Sequence, residues 1–428
     1  MNELLVVVAD RRIMGEIRRD RRGRLSFVYD DGWRSQDAAY PLSLSMPLVV
    51  AEHEHARIEP WLWGLLPDNN AILARWGQRF HVSPRNALAL LGAVGEDCPG
   101  TVQLVRPERV DEILRDDKQQ VEWLTDAEVA ERLRILRQDQ AAWRIPRDTG
   151  QFSLAGAQPK TAFFFDGQRW GVPYGPTPTT HILKPPIHGF DGHAENEHLC
   201  LALARVLGLP AARSQVRRFE DETAIVVERY DRARLDGTIR RLHQEDMCQV
   251  LGLPPTKKYQ NEGGPGCAEL SEAIRTHSGE PGDDAWTFAR AIMLNWIIGG
   301  TDAHAKNFSM LIGATGRARL APLYDVASTL AYDFDSKKLK MATKIGGKYR
   351  LEQVYSRHWV RFAKEVRLSP AEVLDMGKSM VETLPAAFAA TVDEAHANGL
   401  DHPILQRMIE VLNARSQHCA RVLEAAAS

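Results

Sequence analysis

Short apolar runs separated by turn-forming residues divide the first half of this chain into predicted strands. LLVVVA and LSFVY lie near the N-terminus, and TAFFF, THILK and AIVVE follow in the middle of the chain. Runs of this length are typical of β-strands. Helical spacing predicts one helix around AILARWG and another from Ser83 to Val94, with Ser83 as its cap and Pro84 at its first position.

The second half of the chain is predicted to be mainly helical. A helix is expected from Glu195 to Leu207. Its apolar stripe consists of Leu199, Leu203, Val206 and Leu207. FARAIMLNWIIGG is apolar on nearly all sides, as expected of a buried helix. A capping box at Thr125 and Glu128 predicts a helix start, and a second box at Ser369 and Glu372 opens a helical tail that continues to the C-terminus.

Composition agrees with a globular protein of more than one domain. The chain has 428 residues, of which 44% are hydrophobic and 26% charged, and a formal net charge of -2, so any contact with DNA has to be local. Five cysteines without C-x-x-C spacing favour reduced thiols over a zinc site. The N-terminal apolar run has no basic region before it, and no stretch approaches the ~18 apolar residues of a membrane span, so a cytoplasmic protein is expected.

The segments TDAHAKNF and APLYDVAS carry the residue types of a phosphoryl-transfer site. Asn307 follows Asp302 by five positions, which is the spacing of a protein-kinase catalytic loop, and Asp325 follows later. In that chemistry one carboxylate takes the hydroxyl proton, while an amide oxygen and a second carboxylate hold Mg²⁺. The alternative is that Asp302 and Asn307 only cap a turn.

Two upstream segments favour the phosphoryl-transfer interpretation. THILK ends in Lys184, at the position of the strand lysine that contacts ATP phosphates in kinases, although Lys184 taken alone is more simply a solvated strand end. Glu197 is the candidate partner of this lysine, against a solvated carboxylate in the first helical turn. SLAGAQPKTAFFF is a small-residue turn that could approach phosphates, but it has the single glycine Gly156 and also suits a simple hairpin. KKYQNEGGPG is either a substrate loop or a turn.

Eight segments, in one order from residue 153 to residue 328, together resemble the HipA family of serine/threonine kinases, the toxins of bacterial toxin-antitoxin pairs. They are SLAGAQPKTAF, PTTHILKPP, NEHLCLALARVLGL, VVERYDR, LHQEDMCQVLGLP, KYQNEGGPG, GGTDAHAKNFSMLI and LAPLYDVAS. YPLSLSMPL, WLWGLLPDN and GEDCPGTVQL extend the resemblance to the small N-terminal subdomain of the family. The full-length form of the family is therefore expected.

The resemblance implies an α+β, two-lobed kinase-like fold with an N-terminal β-rich subdomain and a mainly helical C-terminal lobe. The expected domains are the N-terminal subdomain over 1–105, a connector with a helix over 106–149, a small lobe with the nucleotide loop over 150–230, and a helical large lobe with the catalytic loop over 231–428.

The resemblance also implies roles for individual residues. Asp302 would be the proton acceptor, and Asn307 and Asp325 would bind Mg²⁺. The ATP-binding residues would be Ala155, Gly156, Ala157, Gln158, Lys160, Lys184, Glu228, Arg229, Tyr230, His304, Lys306, Asn307 and Tyr324. Of these, Glu228, Arg229 and Tyr230 would meet adenine through their backbone.

Ser153 lies where the family carries an autophosphorylated serine. Phosphorylation there would eject the nucleotide loop and silence the kinase, because a dianionic phosphate repels the phosphates of ATP. The chain departs from the family with Pro159 inside the loop and with Ala303 where glycine is common. Neither departure removes a ligand.

A basic cluster follows the candidate site. It contains Lys337, Lys338, Lys340, Lys344, Lys348 and Arg350. A solvated charged surface explains such a cluster as well as phosphate contacts do. A basic loop in this region of the family touches the DNA backbone. The resemblance therefore implies that Lys344 and Lys348 contact DNA.

The sequence thus favours a toxin that uses ATP and Mg²⁺ to phosphorylate a serine or threonine of a protein. The resemblance implies an aminoacyl-tRNA synthetase as substrate, so that translation stops and growth arrest or persistence follows. It also implies a helix-turn-helix antitoxin similar to HipB as partner, with operator DNA bound through the complex. One alternative is a small-molecule or lipid kinase, since the same motif serves those folds. The other is a catalytically silent corepressor, against which the intact Asp302, Asn307, Asp325 and Lys184 argue.

Overall fold

The computed structural model describes residues 3–115, 119–143, 152–235 and 237–424. Two compact units are present. The first unit consists of Met1–Pro185, Arg218–Thr256 and Met310–Ala318, and the second of Pro186–Arg217, Lys257–Ser309 and Arg319–Ser428. The predicted boundary between connector and small lobe, at residues 149 and 150, lies outside the described residues.

The N-terminal part of the first unit is an antiparallel sheet covered by helices. Its strands are β1 (Glu3–Ala9), β2 (Arg12–Arg19), β3 (Leu25–Tyr29), β4 (Glu52–Glu54) and β5 (Gln103–Val105), in the order β4-β3-β2-β1-β5. The helices here are α1 (Asp31–Arg34), α2 (His55–Gly64), α3 (Asn70–Phe80) and α4 (Ala87–Val94). Helix α2 packs against β3 and α4, which closes an apolar core between sheet and helices.

The start of α4 differs from the sequence prediction. The helix begins at Ala87 and is capped by Asn86, whose side-chain oxygen accepts a hydrogen bond from the Ala89 N–H at 3.2 Å. Ser83 does not cap this helix, because its carbonyl accepts the Asn86 N–H at 3.0 Å and closes a separate turn that contains Pro84. A serine before a proline is a cap signal, but the asparagine that follows is an equally strong cap and lies nearer the apolar run.

A six-stranded sheet forms the next part of the first unit. Its preceding helices are α5 (Val110–Arg115) and α6 (Asp126–Gln138), and its strands are β6 (Val121–Leu124), β7 (Thr161–Phe165), β8 (Trp170–Pro173), β9 (His181–Lys184), β10 (Ser214–Phe219) and β11 (Glu222–Glu228). The strand order is β10-β11-β9-β7-β8-β6. The capping box predicted at Thr125 and Glu128 is confirmed at the start of α6.

The segment expected to be a connector is integral to this sheet. Strand β6 pairs with β8 along the edge of the sheet. Side chains of α6, among them Val129 and Leu133, pack with Phe163 and Val226 of the sheet in one apolar core. Removing this segment would therefore expose the core of the sheet to water.

The remaining strands of the first unit are short. They are β12 (Arg232–Leu235), β13 (Thr238–Arg241) and β14 (His243–Asp246), followed by helix α8 (Met247–Val250) and by β15 (Ser309–Ile312) and β16 (Ala318–Leu320). Strands β12 and β13 form a hairpin, and β14, β15 and β16 form a three-stranded sheet. The division into units falls within β10, β15 and β16.

The second unit is mainly helical. Its helices are α7 (His193–Val206), α9 (Cys267–His277), α10 (Pro281–Ile298), α11 (Ser356–Glu365), α12 (Pro370–Ala397) and α13 (Pro403–Glu424), and its hairpin strands are β17 (Lys340–Ile345) and β18 (Lys348–Arg350). Helix α12 packs against α7, α10, α11 and α13. Of the capping box predicted at Ser369 and Glu372, only the cap is confirmed: the Ser369 hydroxyl accepts the Glu372 N–H at 3.4 Å, but the Glu372 side chain does not accept from the Ser369 N–H.

The apolar stripe predicted for α7 is only partly buried. Leu199 and Leu203 are fully buried, whereas Val206 is 52% exposed at the end of the helix. The helix ends at Val206, so the last turn leaves the core. The prediction of a mixed α+β fold is confirmed. In the described part of the chain, no helix has both the length and the apolar character that a membrane crossing requires.

Candidate active site

Two glycines turn the chain from the buried helix α10 into the candidate catalytic loop. Gly299 ends the helix with a left-handed φ of 68°, and a Cβ there would lie 2.5 Å from Leu330 Cγ. A Cβ on Gly300 would lie 2.2 Å from Asn295 Oδ1. Larger residues do not fit at this turn, which explains why GG precedes TDAHAKNF.

Asp302 presents its carboxylate at the surface of the second unit. Its side chain is 67% exposed. The hydroxyl of Tyr259 donates a hydrogen bond to Asp302 Oδ1 at 2.6 Å, and His304 Nε2 lies 4.0 Å from Asp302 Oδ2. An exposed carboxylate with one oxygen held by a neutral donor is suited to accept a proton from an incoming hydroxyl.

Asn307 is fixed to the same loop through its side chain. Its amide nitrogen donates to the carbonyl of Asp302 at 2.8 Å, and its backbone N–H donates to the carbonyl of His304 at 2.9 Å. A backbone carbonyl accepts only from the amide nitrogen, so the amide oxygen remains as the atom that can bind a metal. This bond is a physical reason for the five-residue spacing of the motif.

The residues between Asp302 and Asn307 are buried and lead into a short 3₁₀ turn. His304 and Lys306 are each about 5% exposed. The hydroxyl of Tyr324 donates to the Lys306 carbonyl at 2.6 Å and lies 2.6 Å from Ser309 Oγ. Tyr324 therefore packs under the loop and connects it to the segment that carries Asp325.

Asp325 has a strained backbone. Its φ is 52°, in the left-handed region that non-glycine residues rarely adopt, and its side chain is exposed. Leu323, two residues before it, is held by hydrogen bonds to Pro210 and Ala212 of the second unit at 2.9 and 2.8 Å. Left-handed residues of this kind cost about 1 kcal/mol or more and concentrate at functional sites.

The donor set suits Mg²⁺ better than a transition metal. Within the described ranges, no group of three or more His, Cys, Asp or Glu side chains is arranged for a metal ion. Asn307 and Asp325 offer one amide oxygen and one carboxylate. Mg²⁺ prefers oxygen ligands and is usually held by one or two carboxylates together with water and substrate phosphates. The two residues fit that pattern.

The loop over residues 155–160 is closed on itself in the first unit. Lys160 Nζ donates to the carbonyl of Ala155 at 2.6 Å. Gly156 has a φ of 103°, and a Cβ there would lie 2.6 Å from Lys160 Nζ. The amide nitrogen of Gln158 is buried without an acceptor among the described residues. Ala157 is exposed at the tip.

The loop is also attached to the N-terminal part of the first unit. The Asp68 N–H donates to the carbonyl of Gly156 at 3.1 Å. Ser153 is fully buried; its hydroxyl donates to the carbonyl of Leu65 at 2.7 Å and its N–H to the carbonyl of Asp97 at 3.0 Å. The segment WLWGLLPDN, quoted above only for its family resemblance, therefore anchors the candidate nucleotide loop.

Lys184 ends strand β9, and residues 228–230 lie at and just after the end of the neighbouring strand β11. Lys184 is buried on β9, opposite Ile225 of β11. Glu228 ends β11 with an exposed side chain, and the Arg229 N–H donates to the carbonyl of Thr180 at 2.9 Å. The hydroxyl of Tyr230 donates to Gln244 Oε1 at 2.8 Å.

The side chain of Arg229 belongs to a buried ionic cluster that the sequence did not reveal. The cluster is formed by Asp97, Asp231, Arg229, Arg232 and Arg241, all buried or nearly so. Arg229 contacts Asp231 at 2.8 Å, and Asp97 is contacted by Arg232 at 2.9 Å and by Arg241 at 3.1 Å. The Arg229 side chain is therefore used within the fold, and its carbonyl accepts the Arg232 N–H at 3.2 Å.

The arginines keep both buried aspartates ionised. Burial raises the pKa of Asp97, but the charges of Arg232, Arg229 and Arg241 outweigh burial and hold that pKa below its ordinary value. The same balance lowers the pKa of Asp231. Asp97 also accepts a hydrogen bond from the hydroxyl of Thr179 at 2.6 Å. The only signal in the sequence was an acidic residue in GEDCPGT, far from VVERYDR.

The basic cluster lies on the β17–β18 hairpin and the turn before it. Lys344 and Lys348 are both exposed. Gly346, with a φ of 51°, lies in the turn between the strands, and a Cβ there would lie 2.1 Å from the His358 carbonyl oxygen. The Lys344 N–H donates to Gln260 Oε1 at 2.7 Å, which fixes the hairpin to the KKYQNEGGPG loop.

Comparisons with known proteins identify the family of this chain. A HipA-like C-terminal domain model matches residues 152–388, and a HipA N-terminal domain model matches residues 5–105. The "Putative kinase Y4mE" of Sinorhizobium fredii is 36% identical over 95% of this chain and 96% of its own length. The serine/threonine-protein kinase toxin HipA of Shewanella oneidensis is 28% identical over 87% of each chain.

A solved structure shares the fold. The HipA chain in the Shewanella oneidensis complex of HipA, HipB and operator DNA superimposes with a TM-score of 0.83 over 98% of each chain, at 24% identity. At that identity the likeness establishes the fold alone. Together with the two domain matches and the relatives named kinases, it shows that this chain belongs to the HipA family of protein kinases.

Proposed function

We propose that this protein is a toxin that transfers the γ-phosphoryl group of ATP to a serine or threonine of another protein. The observation that carries the proposal is the geometry of the loop over residues 302–307. An exposed carboxylate at Asp302 and an amide oxygen at Asn307 are held by one short turn, as in-line transfer to a hydroxyl requires.

In the proposed reaction Asp302 accepts the proton of the attacking hydroxyl as its oxygen bonds to the γ-phosphorus and ADP leaves. Asn307 and Asp325 would hold Mg²⁺, which neutralises charge on the phosphates. Lys184 supplies a fixed positive charge from a buried strand position. The loop over residues 155–160 would cover the nucleotide, with the buried Gln158 amide as one of its donors. His304, Lys306 and Tyr324 shape the loop from beneath.

The proposed substrate is an aminoacyl-tRNA synthetase. The family resemblance implies this choice, and the Shewanella oneidensis relative is itself named a serine/threonine-protein kinase toxin. Phosphorylation of a synthetase near its ATP site would leave tRNA uncharged and stop translation, which produces growth arrest or persistence. The site of action would then be the cytoplasm.

The proposed partner is a helix-turn-helix antitoxin similar to HipB, with operator DNA bound by the complex. Support comes from the relative that was solved with HipB and operator DNA. On this chain Lys344 and Lys348 are exposed on a hairpin, where they can meet phosphates of the DNA backbone.

Ser153 is the proposed autophosphorylation site. Its hydroxyl is buried and donates to Leu65, so the segment must leave its place before transfer. A phosphate adds a charge of about -1.5 to -2 and does not fit a buried position beside a backbone carbonyl, so the modified segment stays displaced and the kinase is silent. Intact-mass measurement after incubation with ATP and Mg²⁺ should show one added phosphate, absent from Ser153→Ala.

The decisive experiment uses Asp302→Gln. Wild-type protein and the variant are incubated with γ-labelled ATP and a bacterial lysate, and labelled proteins are identified. Loss of the proton acceptor should lower transfer by roughly 10² to 10⁴ and abolish growth arrest, while ATP affinity stays within about twofold. A labelled lipid or metabolite instead of a protein would favour a small-molecule kinase. Growth arrest that survives Asp302→Gln would overturn the proposal.

A further inference from the structure

The KKYQNEGGPG loop of the second unit places a tyrosine hydroxyl on the candidate base. Tyr259 Oη donates to Asp302 Oδ1 at 2.6 Å, although the two residues are 43 positions apart in the chain. The loop itself is tightly folded. The N–H groups of Glu262 and Gly264 both donate to the Tyr259 carbonyl, at 3.0 and 2.9 Å.

The loop cannot accept larger residues at its turn. A Cβ on Gly264 would lie 2.1 Å from the Lys257 carbonyl oxygen and 2.7 Å from the Tyr259 carbonyl oxygen. Gly263 has a φ of 85°. The backbone of Tyr259 is therefore held in one conformation by the fold rather than by its side chain.

Two contacts fix Tyr259 independently of its hydroxyl, one through the backbone of the preceding residue and one through its ring. The Ala305 N–H donates to the carbonyl of the preceding residue, Lys258, at 3.2 Å. The Tyr259 ring packs edge-to-face against the buried ring of His304, with centroids 4.9 Å apart. Both contacts remain in a phenylalanine variant, so the hydroxyl can be removed without moving the ring.

Asp302 lacks such fixation. Its side chain is 67% exposed, and an exposed aspartate samples several χ1 rotamers. One hydrogen bond from a rigid donor selects the rotamer in which Oδ1 faces Tyr259. Oδ2 is then the oxygen that can face an incoming hydroxyl.

We propose that Tyr259 is a positioning residue that holds the Asp302 carboxylate for proton transfer from the substrate hydroxyl. This inference rests on the proposed kinase function. The proton moves from the substrate hydroxyl to Asp302 Oδ2, the hydroxyl oxygen bonds to the γ-phosphorus, and the bond to the β-γ bridging oxygen breaks as ADP leaves. Tyr259 keeps its own proton throughout and touches neither nucleotide nor substrate.

A different role would give the opposite result. If the Tyr259 hydroxyl instead blocked the place of the substrate hydroxyl, its removal would accelerate transfer. If the hydroxyl mattered only for folding, its removal would weaken nucleotide binding and thermal stability together with transfer.

The test compares Tyr259→Phe with wild type, Asp302→Gln and the exposed Tyr174→Phe. The probe is γ-labelled ATP with Mg²⁺, and the readouts are the rate of label transfer to lysate protein at saturating ATP, the KM for ATP, and the melting temperature. Tyr259→Phe should transfer label roughly 10 to 100 times more slowly, as loss of a hydrogen bond to a charged group predicts, with an unchanged KM and melting temperature. Tyr174→Phe should match wild type.

Three results would overturn the positioning role. They are a Tyr259→Phe rate equal to that of Tyr174→Phe, a faster rate, and a slower rate accompanied by a raised KM or lowered melting temperature. Absence of transfer by wild-type protein would refute the proposed function itself, and the positioning role with it. The wild-type measurement therefore separates the two failures.

Discussion

The aspartates of the two units differ in their surroundings and in what their charges do. In the first unit Asp97 and Asp231 are 3% and 4% exposed and are surrounded by three arginines. In the second unit Asp302 and Asp325 are exposed. A buried carboxylate stays ionised only when cations compensate its lost hydration, so its charge is used within the fold. An exposed carboxylate remains able to bind a proton or a metal.

The difference separates structural acids from reactive acids of the same residue type. Sequence motifs mark both kinds, since GEDCPGT and TDAHAKNF are both segments of family resemblance. Burial and partners distinguish them.

Asp97→Ala should be strongly destabilising. It leaves Arg232 and Arg241 buried without one of their carboxylates, and breaking a buried ion pair costs roughly 3–5 kcal/mol. Denaturant unfolding followed by circular dichroism measures the change in the free energy of unfolding. The exposed Asp37→Ala is the matched control and should change it by less than about 0.5 kcal/mol. Equal stability of the two variants would show that the cluster contributes nothing.

Glu245 is a buried acid of the first unit, and among the described residues the charge that acts on it is that of Asp246 rather than of an arginine. Burial raises its pKa from 4.5 to about 8, even though the Leu44 N–H donates to its Oε1 at 2.7 Å, and the nearby charge of Asp246 adds to the rise. The folded state thus holds a proton that the unfolded state has lost. The contribution of the protonated Glu245 to the free energy of unfolding is fully present below pH 4.5 and is lost as pH rises through about 8.

Glu245→Gln should therefore flatten the pH dependence of stability. Between pH 5 and pH 9 the free energy of unfolding of the wild type should fall by up to about 4 kcal/mol more than that of the variant, because glutamine stays neutral. Melting temperatures across this range provide the measurement, with the exposed Glu54→Gln as control. If the melting temperatures of wild type and Glu245→Gln changed with pH in the same way, ionisation of Glu245 would not destabilise the folded state.

Asp325→Ala should weaken nucleotide binding only in the presence of Mg²⁺. Loss of one metal ligand is expected to cost about tenfold in affinity, or about 1.4 kcal/mol. Calorimetry with ATP in Mg²⁺ and in EDTA separates the two conditions. Stability should stay within about 1 kcal/mol of wild type, because the side chain is exposed. Unchanged affinity in Mg²⁺ would remove Asp325 from the metal site.

The smallest effect concerns exposed cations. Lys344→Glu together with Lys348→Glu should lower the affinity of the toxin-antitoxin complex for operator DNA and reduce its salt slope by about two, without altering kinase activity. Binding at several salt concentrations measures the slope. Lys378→Glu on α12 is the control. If the double variant and the wild type had the same salt slope, the lysines of the hairpin would be part of a solvated surface that does not contact DNA.

Local signals were readable from the sequence, and distant contacts were not. The caps at Thr125 and Ser369 depend on three or four neighbouring residues and were predicted correctly, whereas Ser83 was wrong because Asn86 is a competing cap. The strand TAFFF has the predicted bounds. The roles proposed for Asp302, Asn307 and Asp325 stay predictions, as do those of Lys184 and its candidate partner Glu197.

The contact of Tyr259 with Asp302 could not be predicted because it spans 43 positions. The contact of Arg229 with Asp97 spans 132. No periodicity or motif records such a pairing; only the fold brings the residues together. The same holds for Ser153, whose partner Leu65 is 88 positions away.

The ionic cluster has a consequence for how the chain can be divided. The N-terminal family domain ends at residue 105 and the C-terminal family domain begins at residue 152. These bounds suggest that the C-terminal part could be expressed by itself. That fragment would carry the guanidinium groups of Arg229, Arg232 and Arg241 against the single carboxylate of Asp231. Its interior would hold more buried positive charge than negative charge until Asp97 of the N-terminal fragment bound to it. The N-terminal domain is thus a folding partner of the kinase domain, and genetic separation of the two should yield protein that becomes soluble only when both pieces are made together.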